Sequence, residues 1–370
     1  MDYGKKSITS TPMVSVIMSV YKEPEYMLRE SIESILEQTL IDFEFIIVLD
    51  NPGYSGNELV KEYEKNDERI IIIANEDNRG LTVSLNEALS IARGKYIARM
   101  DADDISEKNR LKIQLEYMEN NPEITVVGSY VDVFEDQNSK RHCSGMTNNT
   151  DDDEVNKIRM LFCNAGVTHS TAFIRRKFLE EKKITYDENM KKSQDYGLWT
   201  DIVINGGRVR TIQQILLRYR IHKGQITNVC SAEQKECFKY NVKKQIDLMG
   251  IQLSPKEIDL HYTIYHISKC IDVKEYDLYL DKLLKYDGNE YNIKKYREEI
   301  YFMIYKDIFK EIFRYHNKTF WKSRYIAVLF SPSMIIKMIS EKKKEYIYKK
   351  ILKSYIVRIN NENNNTNITK

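Results

Sequence analysis

Three aspartates fall within four residues of the segment Arg99-Met-Asp-Ala-Asp-Asp-Ile-Ser106, directly after the apolar-leaning run KYIARM. Carboxylates this close repel one another and raise one another's pKa unless a cation, a hydrogen-bond donor or water offsets the charge. Carboxylates that face a cleft at the end of a strand can hold a divalent cation against a diphosphate, with phosphate oxygens and water as the other ligands. The cluster therefore predicts a metal–diphosphate site.

The aspartates could instead serve either of two simpler roles. They could cap a following helix whose first turn would be Ser106-Glu107-Lys108, but one aspartate is enough for a cap. They could also form a calcium loop, but the segment lacks the twelve-residue ligand spacing and the central glycine of an EF-hand. We rank the metal–diphosphate hypothesis above both.

Strand-like and helix-like segments alternate from residue 14 to about 135, which predicts an α/β layer with a mostly parallel sheet. In such sheets, ligands bind at the carboxyl ends of the strands. Three polar loops follow predicted strands, VYKEPE, DNPGYSG and DADDIS, and we expect them to form one site. The predicted strands are 14–20, 43–49, 70–74 and 95–100, and the predicted helices are 25–38, 56–66 and 81–93.

The later part of the chain has a looser pattern. After a polar loop at about 136, THSTAFIRR resembles a strand, SQDYGLWTDIVING a helix, and RVRTI and ILLRYRIH two further strands. The pattern becomes largely helical beyond residue 231, and the tail NNENNNTNITK has the composition of a disordered segment. We therefore expect an α/β domain over 1–230, a helical basic region over 231–358 and a disordered tail over 359–370.

The 370-residue chain has a formal net charge of +2, which conceals a difference between its two parts. Residues 1–230 hold 30 Lys and Arg against 37 Asp and Glu, whereas residues 231–370 hold 27 against 18. The parts therefore differ in sign, which predicts different partners for each. Five cysteines without CxxC or metal-finger spacing are typical of a reducing cytosol. The N-terminus lacks an apolar signal core, and no run of about 18 apolar residues predicts a spanning helix.

Four segments occur in an order that is characteristic of one enzyme family: VSVIMSVYKEPEYMLRESIESILEQT, FEFIIVLDN, NRGLTVSLNEALSIARGKYIARMDADD and NRLKIQLEYME. Together they resemble an inverting family 2 glycosyltransferase, of the type that builds bacterial surface polysaccharides, O-antigens and capsules. The resemblance runs from about residue 13 to 222 and does not cover the C-terminal third. It implies the GT-A fold, an α/β nucleotide-diphospho-sugar transferase fold.

The resemblance also implies a nucleotide pocket. Val20, Tyr21 and Glu23 would line it after the first strand. Asp50 matches the carboxylate that binds the base, usually uracil, and Arg79 lies in a loop that would flank the nucleotide. Each has a structural alternative when taken alone: a surface aromatic, a turn former or a solvated charge. Their joint placement at strand ends favours the pocket.

The aspartate cluster matches the DxD motif of the family. The resemblance implies that Asp101 lies by the ribose and sugar, and that Asp103 binds Mn²⁺ or Mg²⁺ on the diphosphate. His222 matches a histidine near the donor phosphates, which makes it a second candidate metal ligand, and His169 matches one beneath the active site. A lone histidine is more often structural. Gly80 either permits a turn or lets the backbone approach the ligand, and the sequence favours neither alternative.

Inverting sugar transfer needs a base that removes the proton of the acceptor hydroxyl. SQDYGLW resembles the family's ED-aromatic motif, which makes Asp195 the expected base and Tyr196 and Trp199 candidates for contacting the acceptor. A helix-dipole role for Asp195 is the alternative, and for Trp199 we favour a core position. Many relatives have acids where this chain has Leu49 and Gln194. Leu49 weakens the uracil assignment, and Gln194 could shift the pKa of Asp195 or change the choice of acceptor.

The C-terminal segment 314–358 holds twelve Lys and Arg against two Glu, interleaved with aromatic and aliphatic residues. Amphipathic helices of this composition bind anionic membrane surfaces, and two packed helices with a solvated basic face would show the same pattern. No motif typical of nucleic-acid binding is present. The family's usual acceptors are carried on polyprenyl diphosphate, which implies a cytoplasmic protein at the inner face of the membrane.

These observations predict metal-dependent, inverting transfer of a sugar, UDP-hexose or UDP-HexNAc being the expected donor, to a saccharide acceptor linked to lipid. A sugar-phosphate nucleotidyltransferase is one alternative, but VSVIMSVYKEPE lacks the glycine-rich phosphate loop of that class. A catalytically silent sugar-nucleotide or glycan-binding module is another. The joint presence of Asp101, Asp103 and Asp195 argues against it, because only catalysis needs all three.

Overall fold

The computed structural model describes residues 11–135, 141–144, 150–190, 192–222, 232–265, 273–296 and 300. The chain forms two compact units, one of Met1–His266 with Tyr279–Lys306 and the other of Ile267–Leu278 with Asp307–Lys370. All the elements that carry the candidate site belong to the first unit. The basic segment 314–358 and the tail 359–370 lie outside the described residues, and the predicted boundary near residue 230 stays a prediction.

Four parallel strands form the centre of the first unit. They are β1 (Val14–Val20), β2 (Phe43–Leu49), β3 (Ile70–Ala74) and β4 (Tyr96–Arg99). The connecting helices are α1 (Glu25–Leu36), α2 (Asn57–Asn66) and α3 (Leu81–Ile91). Every residue of β1 and β2 is buried, as expected for parallel strands covered by helices on both faces. The predicted alternation of strands and helices is confirmed.

The rest of the sheet is mixed. In the described part of the chain its order is β3-β2-β1-β4-β8-β6-β9-β5, with β7 beside β6. Strand β8 is antiparallel to β4 and β6, β9 is parallel to β6, and β5 is antiparallel to β9. The strands are β5 (Ile105–Ser106), β6 (Val126–Glu135), β7 (Arg141–Ser144), β8 (Phe173–Arg175) and β9 (Val209–Ile221). The helices are α4 (Arg110–Asn120), α5 (Asp153–Met160), α6 (Arg176–Lys182) and α7 (Gln194–Ile204), with a 3₁₀ turn at His169–Thr171.

The structure excludes one of the alternatives and corrects one local expectation. Ile105 and Ser106 form β5 and pair with β9, and α4 begins only at Arg110, so the aspartates do not cap a helix starting at Ser106. The two strands expected in 208–222 are one strand, β9. Its register against β6 shifts where Ser129 pairs with Ile212 and Tyr130 with Ile215, because residues between these pairs bulge from the ladder.

In the part of the chain that the structure describes, three further helices follow: α8 (Ala232–Leu248), α9 (Pro255–Tyr265) and α10 (Val273–Leu284). Helix α8 packs on α7 and contributes to one buried polar network. Its Gln245 donates from Nε2 to the carbonyl oxygen of Met160 (3.1 Å) and accepts from the Tyr291 hydroxyl (3.0 Å). Among the helices that the structure describes, none is long and apolar enough to cross a membrane.

Candidate active site

The loops after β1 and β2 meet at the carboxyl edge of the sheet. The buried Val20 accepts a hydrogen bond at its carbonyl oxygen from the backbone N–H of Asp50 (2.8 Å). Asn51 donates from Nδ2 to the carbonyl oxygen of Tyr21 (3.0 Å). Because parallel strands end at the same edge, the structure brings these predicted pocket residues together. The ring of Tyr21 is 38% exposed and is therefore accessible to a ligand.

Glu23 connects the first loop with the aspartate cluster. Its carboxylate accepts hydrogen bonds from the backbone N–H groups of Tyr21 (2.9 Å) and Lys22 (3.1 Å), and its carbonyl oxygen accepts one from the Tyr54 hydroxyl. Burial raises the pKa of Glu23, and the nearby charge of Asp103 raises it further. The two predicted site residues therefore face the same space.

Asp50 is 2% exposed and organises the loop after β3. Its Oδ1 accepts hydrogen bonds from Asn75 Nδ2 (2.9 Å) and from the backbone N–H of Arg79 (2.8 Å), and its Oδ2 accepts one from the N–H of Gly80 (2.8 Å). The side chain of Arg79 is half-exposed and pairs with Glu87. The structure thus gives Asp50 a role in shaping the loop, and its contact with a nucleotide base stays a prediction.

Buried arginines surround the aspartates that follow β4. Arg99, which is 1% exposed, donates from Nη2 to Asp101 Oδ1 (2.5 Å). Arg220, on β9, donates from its backbone N–H to Asp104 Oδ1 (2.9 Å) and from Nε to the carbonyl oxygen of Asp103 (2.8 Å). Sequence reasoning looked for one cation opposite the cluster and overlooked these side chains. Arg99 carried a local signal, because it is a charged residue within an apolar strand.

Burial shifts the pKa values of the charged side chains in and beneath the aspartate cluster. Burial, followed by the charges of Asp101 and Asp103, raises the pKa of Asp104 well above its ordinary value. Burial also lowers the pKa of the Arg110 guanidinium to about 9, although Asp104 and Asp101 oppose that change. Arg110 donates from Nη2 to the carbonyl oxygen of Arg99 (2.6 Å), directly beneath the cluster. Burial therefore disfavours the charged forms of both Asp104 and Arg110, and the neighbouring aspartates offset part of that cost for Arg110.

Asp103 and His222 meet across the sheet although they are 119 residues apart in the chain. His222 lies directly after β9, and its Nε2 is 2.9 Å from Asp103 Oδ2. Burial, then the charge of Asp101, raises the pKa of Asp103, and His222 lowers it. No group of three or more His, Cys, Asp or Glu in the described residues is arranged to hold a metal ion.

The residues nevertheless fit a divalent cation that is bound together with a diphosphate. Such cations are usually held by one or two protein ligands, and phosphate oxygens and water fill the other positions. A carboxylate oxygen suits Mg²⁺ and Mn²⁺, and an imidazole nitrogen suits many transition metals. Asp103 and His222 supply one donor of each type at the carboxyl edge of the sheet.

The predicted base, Asp195, lies in the first turn of α7. Asn164 donates from Nδ2 to Asp195 Oδ2 (2.7 Å), a contact that sequence reasoning missed because no local pattern marks it. Burial raises the pKa of Asp195, whereas the bonds from Asn164 and the backbone N–H of Tyr196 lower it. The charge of Asp101 also raises it, so the acceptor-side and donor-side carboxylates lie within electrostatic reach of each other.

The two aromatic candidates next to Asp195 are buried. Tyr196 is 1% exposed and its hydroxyl donates to the carbonyl oxygen of Met160 (2.5 Å), so the expectation that it contacts the acceptor is wrong. Trp199 is fully buried, as favoured from the sequence. The ring of Tyr196 stacks on Phe238 of α8, and the ring of Trp199 meets that of His169.

His169 packs beneath the site. Its Nε2 is 2.8 Å from the Tyr186 hydroxyl, and its ring meets the rings of Tyr186 and Trp199 edge-on. Burial, then the charge of Arg99, lowers the pKa of His169 to about 3. A neutral imidazole at this position supports the surrounding side chains and does not transfer protons near pH 7.

Comparisons with known proteins agree with the geometry of the candidate site. The model of glycosyl transferase family 2 matches residues 15–182. The Methanocaldococcus jannaschii protein named uncharacterized glycosyltransferase MJ1057 is 44% identical over 211 residues, which are 57% of this chain and 71% of that protein. The Escherichia coli O-antigen biosynthesis glycosyltransferase WbnJ is 30% identical over 241 residues, which are 64% of this chain and 91% of WbnJ.

Solved structures show the same fold. The crystal structure of S. aureus TarS 1-349 in complex with UDP-GlcNAc has a TM-score of 0.53 at 17% identity, covering 74% of this chain and 80% of TarS 1-349. The mixed, mostly parallel sheet with helices on both faces is thus the GT-A arrangement predicted from the sequence. Because strand-end carboxylates, fold and a 44% identical relative all agree, the chain belongs to glycosyl transferase family 2.

Proposed function

We propose that the protein is a metal-dependent, inverting hexosyltransferase that moves a sugar from a nucleotide-sugar to a saccharide acceptor during surface-polysaccharide synthesis. The observation that carries the proposal is the position of Asp101. Its charge raises the pKa of both Asp103 and Asp195, so the residues expected to bind the donor and to activate the acceptor lie within electrostatic reach of the same carboxylate. That juxtaposition is what a single displacement at an anomeric carbon requires.

Asp195 acts as the base in this mechanism. It accepts the proton of the acceptor hydroxyl while that oxygen attacks the anomeric carbon from the side opposite the leaving diphosphate, so an α-linked donor gives a β-linkage. Burial supports this role because a raised pKa makes the carboxylate a stronger base. Asn164 orients the carboxylate through the 2.7 Å hydrogen bond at Oδ2.

On the donor side, Asp103 and His222 would hold Mn²⁺ or Mg²⁺, which when bound stabilises the charge of the leaving diphosphate. Asp101 positions the sugar and ribose, and Val20, Tyr21, Glu23, Asp50 and Arg79 form the nucleotide pocket. UDP is the expected nucleotide, and the UDP-GlcNAc complex of S. aureus TarS supports it through the shared fold.

The acceptor is proposed to be a growing saccharide on a polyprenyl diphosphate carrier at the inner face of the cell membrane. Similarity to the O-antigen enzyme WbnJ supports a polysaccharide acceptor. The excess of Lys and Arg in residues 314–358 supports attraction to an anionic bilayer. Co-sedimentation with phosphatidylglycerol vesicles, before and after removal of residues 314–370, tests the attachment; equal sedimentation of both chains would contradict it.

Calorimetric titration of UDP and of GDP, with and without Mn²⁺, tests the donor site. We expect UDP to bind the wild type more tightly with Mn²⁺, and we expect Asp103→Ala to lose that gain. Asp247→Ala is the matched control, because Asp247 is half-exposed on α8 and pairs with Lys243 one turn away on the same helix. Failure of the folded wild type to bind either nucleotide would contradict the proposal.

A further inference from the structure

Arg99 is a buried charge that is only partly satisfied. It ends β4, which is paired on both sides, and its side chain is 1% exposed. Nη2 donates to Asp101, but Nε and Nη1 are buried and have no hydrogen-bond partner among the residues that the structure describes. Because buried donors are nearly always paired, and an unpaired donor on a charged group is costly, an acceptor from outside the protein is expected here.

Arg175 on the neighbouring strand β8 shows what a structural arginine looks like in this fold. Its Nε donates to the carbonyl oxygen of Ile124 (3.2 Å), its Nη1 to the Tyr96 hydroxyl (3.0 Å) and its Nη2 to the carbonyl oxygen of Met118 (3.2 Å). Each of its nitrogens thus has a partner within the protein. The contrast indicates that burial alone does not explain the unpaired nitrogens of Arg99.

The guanidinium of Arg99 contacts the donor-side carboxylate Asp101 and shares the neighbour Tyr186 with the acceptor-side carboxylate Asp195. It contacts Asp101, whose side chain is 30% exposed, and so lies immediately behind the cleft surface. Its charge also reaches His169 and Tyr186, and the charge of Asp195 reaches the same tyrosine. A transferred sugar must lie near both Asp101 and Asp195, so the inference rests on the proposed function.

The charge of the site determines which kind of ligand oxygen can accept hydrogen bonds from Arg99. A guanidinium pairs most strongly with a carboxylate or phosphate. Here, however, Asp101 and Asp195 are already close, and the carboxylate of an acidic sugar would be repelled by both. The diphosphate belongs with Asp103 and His222. Hydroxyl oxygens accept hydrogen bonds without bringing charge, so a neutral sugar fits the site.

We propose that Arg99 is a sugar-specificity residue that donates from Nε and Nη1 to neighbouring hydroxyl oxygens of a neutral transferred sugar. In the bound state, the ligand draws Asp101 away from Nη2 and uncovers the other two nitrogens. Arg99 thereby distinguishes a nucleotide-sugar from the free nucleotide, and a hexose from a hexuronic acid.

Calorimetry in Mn²⁺ tests the proposal through one ratio, the Kd of a nucleotide-sugar divided by the Kd of its own nucleotide. The probes are UDP with UDP-glucose, UDP-galactose, UDP-GlcNAc and UDP-glucuronate, and GDP with GDP-mannose. For the preferred neutral sugar, we expect Arg99→Met to raise the ratio about 10- to 100-fold, the effect of losing hydrogen bonds to a charged donor. Arg99→Lys should give an intermediate ratio, and the matched control Arg175→Met should leave it unchanged.

Thermal melting separates specificity from structure. Arg99→Met removes two unpaired buried donors, so we expect a Tm no lower than that of the wild type, whereas Arg175→Met should melt earlier. A second measurement needs only the wild-type protein. The Nε–H NMR signal of Arg99, assigned by its absence in Arg99→Lys, should exchange more slowly with solvent in the nucleotide-sugar complex than in the nucleotide complex.

Each contrary result has a distinct meaning. An unchanged ratio in a folded Arg99→Met, or equal Nε–H exchange in both complexes, would overturn the role of Arg99 and leave the proposed function intact. Tightest binding of UDP-glucuronate, lost in Arg99→Met, would overturn the choice of a neutral sugar. If no nucleotide binds the wild type at all, the proposed function fails first and the inference fails with it.

Discussion

Asp195 shows how single residues set the chemistry of the cleft. Burial raises its pKa and makes it a stronger base, whereas the hydrogen bond from Asn164 lowers the pKa and keeps the carboxylate available at neutral pH. The same balance holds for the aspartates after β4, where buried arginines offset charge that water would otherwise solvate. Residue chemistry here depends on partners that are distant in sequence.

Removing the Asn164 amide should shift the pH dependence of transfer. In Asn164→Ala the carboxylate of Asp195 loses a hydrogen bond that stabilises its charged form, so its pKa rises further. The base must be ionised, and the acidic limb of the kcat profile should therefore move to higher pH. Asn205→Ala is the control, because Asn205 bonds the carbonyl oxygen of Asp201 at the other end of α7. A shift shared by both variants would contradict the assignment.

Asp195→Asn should stabilise the fold at neutral pH. The folded-state pKa of Asp195 is raised, so the folded protein holds this proton more tightly than the unfolded chain. Its contribution to stability is greatest below the unfolded pKa of about 3.9 and falls as the pH rises through the folded value. We expect a higher urea midpoint for the variant at pH 7.5, and a smaller gain as the pH is lowered. A lower urea midpoint for the variant at pH 7.5 would show that ionised Asp195 does not destabilise the fold.

At the scale of elements, three loops at the carboxyl ends of parallel strands build the donor side, and Asp50 joins them by holding the backbone of the loop after β3. That loop turns at Gly80, whose φ of +86° and ψ of 158° are accessible almost only to glycine. The space around Gly80 is open, with nothing within 4 Å of an added Cβ. The glycine is therefore needed for its backbone conformation, and its approach to a bound ligand stays a prediction.

Gly80→Ala should cost about 1–3 kcal/mol of unfolding free energy, the strain of placing alanine in this region. Gly53→Ala is the control, because its φ lies outside the left-handed region and an added Cβ would meet only Asn51 Oδ1 at 3.7 Å. Urea unfolding of the two variants gives the comparison. Equal stability of Gly80→Ala and Gly53→Ala would contradict the conformational argument.

The elements themselves were largely predictable, because apolar runs and helical periodicity are local signals. The bounds of β1, β2 and β3 agree with the sequence prediction. The start of α4 and the continuity of β9 were not predictable, since both depend on β5 and β6 pairing with β9 across long sequence separations. Asn164 was missed for the same reason, because only the fold brings it to Asp195.

At the scale of the whole first unit, α8 packs on α7 and α9 packs on α8, so the helix that carries the proposed base is supported by the helices that follow it. Part of this support is His261 on α9, which is fully buried, contacts the Tyr279 hydroxyl through Nδ1 and donates from Nε2 to the carbonyl oxygen of Leu161. The helical character of this region could be predicted from its sequence. Its packing on α7 could not, because the sequence of a helix does not show which other helix covers it.

Packing of the later helices should weaken in mild acid. Burial lowers the pKa of His261 to about 4, below its unfolded value of about 6.5, so its contribution to stability is present above pH 6.5 and is lost as the pH falls toward 4. At pH 5, the lowered pKa of His261 should reduce the free energy of unfolding by about 2 kcal/mol relative to neutral pH. Urea unfolding at pH 7 and pH 5 should show a smaller loss for His261→Gln than for the wild type. Equal losses would contradict the account.

The central claim is that one cleft binds a nucleotide-sugar and, separately, activates the acceptor through Asp195. The most direct measurement compares the wild type with Asp195→Asn in Mn²⁺, recording the Kd of the preferred nucleotide-sugar and the rate of labelled-sugar transfer to lipid-linked saccharides. We predict an unchanged Kd, because Asp195 lies on the acceptor side, and transfer about 10² to 10⁴ times slower, the usual effect of losing a general base. Transfer at the wild-type rate by Asp195→Asn would contradict the claim.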